Sequence, residues 1–138
     1  RVSAASQFAV YGPTFLDVVM GPLDGPPVPG REAWVEGALM CAGGAANQAI
    51  ALARLGAPVR LHSRVGVDQM GQFVDEMLAC EGVDTSSCER VGDQNVTVSL
   101  FFDGDRAMTT RGTTALPRLG GDAPACLLAD VLGISANS

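Results

Sequence analysis

The amino-acid sequence predicts an α/β fold with a largely buried interior. Short β-rich apolar runs alternate with two helical segments, and a hairpin signal follows the second of them. Hydrophobic residues make up 47% of the 138 residues and charged residues only 17%, which excludes a disordered chain. From its length, the chain is expected to form one compact domain.

The first two strands are expected close to the N-terminus. Residues 7–11 are apolar and end at a Gly-Pro pair, which predicts a buried strand. Residues 15–20 form a second apolar stretch, interrupted by Asp17. Because a lone carboxylate in an apolar strand is costly, Asp17 is a candidate site residue, with a capping or turn role as the alternative. Pro and Gly are so dense in residues 21–30 that a loop is expected there.

The middle of the chain predicts edge strands, then a helix, a strand and a second helix. Residues 32–41 alternate partly between polar and apolar types, which predicts one or two edge strands. Residues 45–55 are rich in Ala and Leu and precede a glycine, which predicts a buried helix. A strand is expected over 58–65, and an amphipathic helix over 68–80 with Asp68 as its N-cap.

The last third of the chain predicts a hairpin followed by further α/β structure. Residues 95–102 are β-rich, the Asp-Gly-Asp sequence at 103–105 is a hairpin signal, and residues 106–111 form the returning strand. Residues 122–129 are compatible with a short helix, and residues 131–135 with a final strand.

Charge and residue types disfavour several classes of function. The formal net charge of −6 disfavours binding to nucleic acid or to an anionic membrane. All nine basic residues are arginine, so these 138 residues hold no P-loop or Schiff-base lysine. The four cysteines form no CxxC pair, and only His62 could complete a metal set, so no metal site is expected. Reduced, mostly buried thiols in a cytoplasmic protein without a signal peptide or membrane span are expected instead.

The strongest local signal is the run Gly43-Gly44-Ala45-Ala46-Asn47 at the start of the first predicted helix. Two glycines let the backbone approach a ligand closely, and a helix N-terminus offers free N–H groups and a positive dipole end. The Asn47 amide can both donate to and accept from a polyol. The run therefore suits a sugar hydroxyl cluster or an anion, although a tight turn is the commoner role of Gly-Gly.

A longer pattern resembles the ribokinase-like (PfkB) carbohydrate kinase family. Gly43-Gly44 is followed at the family's spacing by Gly56 and Gly66, and Asp17 matches the Asp that follows the family's first strand. Two segments are also similar to the family's, namely LARLGAPVRLHSRVGVDQMGQFVDEMLACEGVDTS and VSLFFDGDRAMTTRGT. The resemblance covers nearly the whole chain, from residue 8 to about residue 135.

The resemblance implies a ribokinase-like α/β sandwich in which a small β-lid covers a sugar or nucleoside. Phosphate would pass from ATP, with Mg²⁺, to a substrate hydroxyl, and two subunits could pair through their lid strands. It also implies that residues 1–138 are the N-terminal portion of a single such domain, with lid strands within about 32–41 and 95–111. The implied substrate-binding residues are Asp17, Gly43, Gly44 and Asn47, and the lid candidates are Phe15, Arg106 and Arg111.

Two departures from the family pattern bear on function. Members that phosphorylate ribose often carry Asn where this chain has Phe15, and their Gly-Gly-Lys-Gly-Ala-Asn is longer than the run found here, which disfavours ribose. The family's catalytic Asp lies in a Gly-Ala-Gly-Asp motif, which this sequence lacks. Gly120-Gly121-Asp122 is a near match that we interpret as a turn and an N-cap. We therefore expect no catalytic residue within this chain.

Two other functions were weighed against the kinase prediction. A non-catalytic, truncated α/β module that binds a polyol or assembles through its lid strands would also lack the catalytic Asp. A Rossmann dinucleotide site needs Gly-x-Gly-x-x-Gly directly after the first strand, whereas here the glycines come more than thirty positions later. The favoured prediction is the substrate-binding part of an ATP-dependent sugar or nucleoside kinase, with the sugar, its hydroxyl and the oligomeric state left open.

Overall fold

A computed structural model describes residues 8–118 and 126–129, in which nine strands accompany two helices. The strands are β1 (Phe8–Tyr11), β2 (Thr14–Leu23), β3 (Gly37–Gly44), β4 (Val59–His62), β5 (Arg64–Val65), β6 (Glu89–Arg90), β7 (Val96–Phe102), β8 (Asp105–Arg111) and β9 (Cys126–Ala129). The helices are α1 (Ala45–Arg54) and α2 (Gln69–Cys80). The predicted alternation of strands and helices is confirmed.

The strands form a parallel sheet, a mixed sheet and a two-stranded pair. The parallel sheet has the order β4-β1-β9, with Val10 opposite Leu61. The mixed sheet has the order β3-β2-β7-β8, in which β2 runs antiparallel to β3 and parallel to β7. The short pair joins β5 to β6. Parallel strands are normally covered on both faces, and Val10 and Leu61 are fully buried.

The core lies where the two helices meet the inner ends of the sheets. Val10 and Leu61 share it with Val74 and Leu78 of α2 and with small side chains of α1, namely Ala45, Ala46 and Ala49. Alanine at these positions lets α1 pack closely on the strands. The sequence predicted a buried helix, and α1 is buried or half-buried except along one stripe, which exposes Asn47, Ala51 and Arg54.

Two local predictions are confirmed in detail. Asp68 caps α2, since its Oδ1 accepts a hydrogen bond from the Gly71 N–H at 2.9 Å. The hairpin between β7 and β8 turns at Asp103 and Gly104, which have φ angles of 46° and 71°. Two consecutive positive φ angles are the requirement of the turn that best matches strand twist, and Asp-Gly meets it.

Several predicted boundaries are wrong. Residues 21–23 belong to β2 and not to a loop, because Gly21 pairs with Gly37 and Leu23 with Phe102. The predicted strand over 58–65 is split into β4 and β5. The predicted helix over 122–129 is wrong at Cys126–Ala129, which pairs with β1 as a strand. The predicted strand at 131–135 and the Gly120-Gly121-Asp122 turn lie outside the described residues.

Cys41, Cys80 and Cys88 are free thiols. Cys88 is buried and Cys41 half-buried, as expected, whereas Cys80 is exposed at the end of α2. The prediction of mostly buried thiols is therefore wrong at Cys80, because that position lies on the solvent side of the helix.

Within residues 8–118 and 126–129, neither helix is long and apolar enough to cross a membrane.

Candidate functional site

One face of the mixed sheet gathers polar side chains around Asp17. Side chains of paired residues lie on the same face of a sheet, and successive residues alternate between faces. Asp17 pairs with Cys41 on β3 and with Thr97 on β7, which in turn pairs with Thr110 on β8. We define the Asp17 face by these residues and their same-face neighbours, namely Val19, Leu39, Ser99, Phe101, Arg106 and Met108.

The Asp17 side chain is half-buried. Its carboxylate has no hydrogen bond and no ion pair with any residue in the described part of the chain. Burial raises the pKa of the Asp17 carboxyl above its ordinary value of 3.8, and attraction to the Arg106 guanidinium offsets part of that rise. A carboxylate held in this way is poised to accept hydrogen bonds from a ligand.

Gly43 and Gly44 make room for Asp17 and for the start of α1. A Cβ atom at Gly43 would fall on the Asp17 carboxylate. Gly44 has a φ angle of 63°, and a Cβ there would meet the Pro13 carbonyl oxygen and lie 3.0 Å from the Phe15 ring. The chain passes from β3 straight into α1 at this point. The two glycines therefore allow close packing around a carboxylate, a role beyond that of a tight turn.

Asn47 and Phe15 lie near these glycines in the chain and in the sheet. Asn47 occupies the first turn of α1, is exposed, and makes no side-chain hydrogen bond within the described ranges. Phe15 pairs with Gly43 across β2 and β3 and is half-buried. The structure thus brings Phe15, Asp17, Gly43 and Gly44 together and leaves Asn47 open to solvent.

The two lid arginines have different surroundings. Arg106 lies on the Asp17 face and is exposed, and its guanidinium bonds to no residue in the described ranges. Arg111 lies on the opposite face, where its guanidinium donates to the Gln94 carbonyl oxygen at 3.0 Å and lies 3.8 Å from the Asp68 carboxylate. Arg111 therefore ties the end of β8 to the start of α2, whereas Arg106 stays available.

A pair of amides that the sequence analysis did not single out anchors the mixed sheet. Gln94 is 1% exposed, and its Nε2 donates to the Thr14 carbonyl oxygen at 3.0 Å while its Oε1 accepts from the Gly66 N–H at 3.0 Å. Asn95 exchanges two hydrogen bonds of 2.9 Å with the backbone of Thr113. Glutamine is usually a surface residue, so nothing in the sequence marked Gln94 as buried.

His62 and the acidic residues do not build a metal centre in the described part of the chain. His62 ends β4 and is half-buried, and burial lowers the pKa of its imidazole, with a smaller lowering from Arg60. No group of three His, Cys, Asp or Glu side chains among the described residues could hold a metal ion.

The chain belongs to the pfkB family of carbohydrate kinases. The family, described as pfkB family carbohydrate kinase, matches residues 35–115, which is more than half of the chain. The matched region includes the two glycines, α1, α2 and the β7–β8 hairpin. The resemblance to this family is therefore confirmed.

Two curated relatives are sugar kinases by name. The chain is 46% identical over 60 residues to 2-dehydro-3-deoxygluconokinase of Bacillus subtilis (strain 168), an alignment that covers 44% of this chain and 18% of the relative. It is 40% identical over 75 residues to fructokinase of Vibrio alginolyticus, which covers 51% of this chain and 24% of the relative. The chain thus matches a quarter or less of the length of these relatives.

Solved structures confirm the ribokinase-like fold. A fructokinase from Xylella fastidiosa with bound ATP superposes with a TM-score of 0.61 at 28% identity, covering 77% of this chain and 33% of the other. An Arabidopsis thaliana ribokinase complexed with ribose and ATP superposes with a TM-score of 0.67 at 24% identity, covering 81% and 37%. The second comparison bears on the fold alone.

Proposed function

We propose that this chain is the substrate-binding part of an ATP-dependent kinase that phosphorylates a hydroxyl group of a sugar or nucleoside. The observation that carries the proposal is the half-buried Asp17 carboxylate, which has no partner in the described part of the chain and has room only because Gly43 lacks a side chain. Sugar hydroxyls are donors that would satisfy it. The names of the two curated relatives support the same class of substrate.

The proposed site combines acceptors and donors for a polyol. Asp17 accepts hydrogen bonds from hydroxyl groups, and the Asn47 amide both accepts and donates. Gly43 leaves the space that the Asp17 carboxylate occupies, and Gly44 allows β3 to pass directly into α1 beside it. These residues bind and orient the acceptor hydroxyl, which lowers the entropic cost of bringing it to the phosphoryl donor.

The mixed sheet is proposed as the lid of this site. Its strands β3, β7 and β8 extend beyond the core, and every residue of β8 is exposed. A sheet that covers the bound sugar would exclude water, which otherwise competes for the phosphoryl group. Residues 1–138 would then form the N-terminal portion of one ribokinase-like domain.

The nucleotide is proposed from the family and not from residues in this chain. ATP would supply the phosphoryl group, as the ATP bound in the similar fructokinase supports. The described residues do not fit a Mg²⁺ site, because no three suitable ligands come together among them. We therefore assign neither the catalytic base nor the metal ligands to this part of the chain.

The exposed apolar residues of the mixed sheet favour a second candidate function. Met20, Met40 and Val98 are 38%, 49% and 39% exposed and lie on the face opposite to Asp17. A non-catalytic module that assembles through these strands, or a kinase that forms a homodimer through them, would cover this surface. Binding of a sugar without phosphoryl transfer by the full-length protein would favour the non-catalytic function.

Substitution of Asp17 tests the proposed function. In the full-length protein, we expect Asp17→Asn to weaken sugar binding by about 10- to 100-fold, because a hydrogen-bonded charge is replaced by a neutral amide. Titration calorimetry with a panel of sugars and nucleosides measures binding, and a coupled assay with Mg-ATP measures transfer.

Asp24→Asn is the matched control, since Asp24 is exposed in the loop after β2 and should leave binding unchanged. The proposal fails if the full-length protein transfers no phosphate to any compound in the panel. It also fails if Asp17→Asn binds the accepted sugar as tightly as the unmodified protein does.

A further inference from the structure

A buried glutamine joins the inner end of the mixed sheet to the body, which consists of the parallel sheet and the two helices. The Gln94 Nε2 donates to the carbonyl oxygens of Thr14 at 3.0 Å and Asn95 at 3.2 Å. Its Oε1 accepts from the Gly66 N–H at 3.0 Å. Two of these partners are acceptors and one is a donor, so only one orientation of the amide satisfies all three. Because Gln94 is buried, water cannot replace them.

The backbone of Gln94 is held on both sides by charged side chains. Its N–H donates to the Asp68 carboxylate at 3.3 Å, and its carbonyl oxygen accepts from the Arg111 guanidinium at 3.0 Å. Asp68 is also the N-cap of α2, and Arg111 is the last residue of β8. The packing is close, because a Cβ atom at Gly66 would fall on the Gln94 backbone nitrogen. We define the Gln94 clamp as Gln94 and its hydrogen-bond partners, namely Thr14, Gly66, Asp68, Asn95 and Arg111.

The Gln94 clamp reaches both parts of the proposed site through the start of β2. Thr14 lies three residues before Asp17 in the same strand and is paired with Gly44 at the end of β3. The neighbouring Pro13 carbonyl oxygen accepts from the N–H of Ala45, the first residue of α1, at 2.9 Å. One short backbone segment therefore connects the clamp, the carboxylate and the start of α1.

Beyond the clamp, the outer part of the mixed sheet is held mainly by its own strand pairing. Every residue of β8 is exposed, and so are Met20 on β2 and Leu39 on β3. From the rise of a strand, Asp17 lies about 10 Å from Thr14, so a rotation of about 6° at the clamp would move it by about 1 Å. A shift of about 1 Å in a group that positions a substrate can cost about 100-fold in rate. The orientation of β2 at the clamp therefore decides where the carboxylate lies.

We infer that Gln94 is a positioning residue of the proposed sugar site. It holds β2 in one orientation, and with it the distance and angle between the Asp17 carboxylate and the start of α1. The inference rests on the proposed function, since it adds a residue to the same site. Gln94 itself would not touch the substrate, because it is 1% exposed and its polar groups already have partners in the clamp.

Steady-state kinetics of Gln94→Glu in the full-length protein test the inference. Fructose, gluconate, ribose and adenosine serve as probes with Mg-ATP, and the acceptor with the highest kcat/KM is used throughout. At about pH 8 the introduced carboxylate cannot donate to the Thr14 and Asn95 carbonyl oxygens and repels them. We expect the KM for the acceptor to rise and its kcat/KM to fall about 10- to 100-fold, while the KM for ATP changes less than about twofold.

Protonation should reverse part of this defect. A neutral carboxyl group again donates one hydrogen bond and accepts another, as the amide does. Burial and the Asp68 carboxylate favour the neutral form, whereas the Arg111 guanidinium favours the charged one. The kcat/KM of Gln94→Glu relative to the unmodified protein should therefore be higher at about pH 5 than at about pH 8. Titration of Asp17 affects both proteins alike, so a ratio that is equal at the two pH values would overturn the inference.

Two further variants separate positioning from stability. Val59 is buried at the start of β4, opposite Phe8, and Val59→Ala should lower the melting temperature with both KM values unchanged. Arg111→Gln removes the donor to the Gln94 carbonyl oxygen from an exposed position, and it should raise the acceptor KM by up to about fivefold. If Gln94→Glu yields no folded protein, an unchanged acceptor KM in Arg111→Gln overturns the inference.

The outcomes also separate this inference from the proposed function. If Gln94→Glu raises neither KM, or raises the KM for ATP as much as the KM for the acceptor, the inference is overturned. If Asp17→Asn raises the acceptor KM and Gln94→Glu does not, the inference is overturned and the proposed function stands. If the unmodified protein phosphorylates none of the probes, both are overturned.

Discussion

The helical body of the protein and the outer half of the mixed sheet hold their apolar residues in opposite ways. In the body, Val10 and Leu61 are completely buried between the parallel sheet and the helices. In the outer sheet, Leu39 is 56% exposed, Phe101 41% and Met108 55%. The body is therefore stabilised by burial, whereas the outer sheet depends on its backbone ladder and on the Gln94 and Asn95 contacts. Its side chains stay free to contact a ligand or partner.

The same substitution in the two regions gives the largest expected contrast. Leu61→Ala should lower the free energy of unfolding by about 2–5 kcal/mol, because it leaves a cavity in a closely packed core. Leu39→Ala should lower it by less than about 1 kcal/mol, since that side chain is mostly in water already. Urea denaturation of the full-length protein, followed by circular dichroism, measures both values.

A large decrease in the free energy of unfolding for Leu39→Ala would contradict the contrast between the two regions. It would mean that the outer sheet is covered in the assembled protein. A dependence of that cost on protein concentration would then assign the cover to a second subunit.

A substitution at Gly44, where β3 of the mixed sheet passes into α1, should have an intermediate effect on the free energy of unfolding. Gly44→Ala should lower the free energy of unfolding by about 1–3 kcal/mol, because Gly44 has a φ angle of 63° and a Cβ would meet the Pro13 carbonyl oxygen. Gly25→Ala is the control, since no atom lies within 4 Å of a Cβ at that loop position. Equal unfolding curves for the two variants would contradict the strained geometry assigned to the junction.

The sequence predicted those elements of both regions whose signals are local. Asp68 marks the start of α2, and Asp103-Gly104 marks the hairpin turn. Residues 21–23 and 126–129 were misassigned because only pairing with distant strands holds them extended. Tertiary context of that kind overrides local propensity.

The candidate site was predictable in its residues and not in its geometry. Asp17 stood out as a charge in an apolar run, and Gly43-Gly44 as a pair before a helix. Only the strand register puts Gly43 beside the carboxylate and separates Arg106 from Arg111 onto opposite faces. The buried Gln94 could not be predicted, because its partners lie 28 and 80 residues away in the chain.

The smallest expected effect is the decrease in folding stability caused by the ionised, half-buried Asp17 carboxylate. Burial raises the pKa of the Asp17 carboxyl in the folded protein, and attraction to Arg106 offsets part of that rise. The residue paired with Asp17 on β3 is Cys41, which is uncharged as a thiol. The folded state therefore binds the proton more tightly than the unfolded state does. Ionisation of Asp17 therefore destabilises the fold. The loss of stability begins near the ordinary carboxyl pKa of 3.8 and is complete once the pH exceeds the raised pKa of the folded protein.

Asp17→Asn should consequently raise the melting temperature slightly at pH 7 while it weakens sugar binding, and the gain in stability should vanish at pH 3. Thermal unfolding of both proteins at the two pH values measures the difference, with Asp24→Asn as an exposed control. A lower melting temperature for Asp17→Asn at pH 7 would show that the carboxylate has donors within the protein. If it had them, it would no longer be free to bind a sugar, because a carboxylate that stabilises the fold is already satisfied.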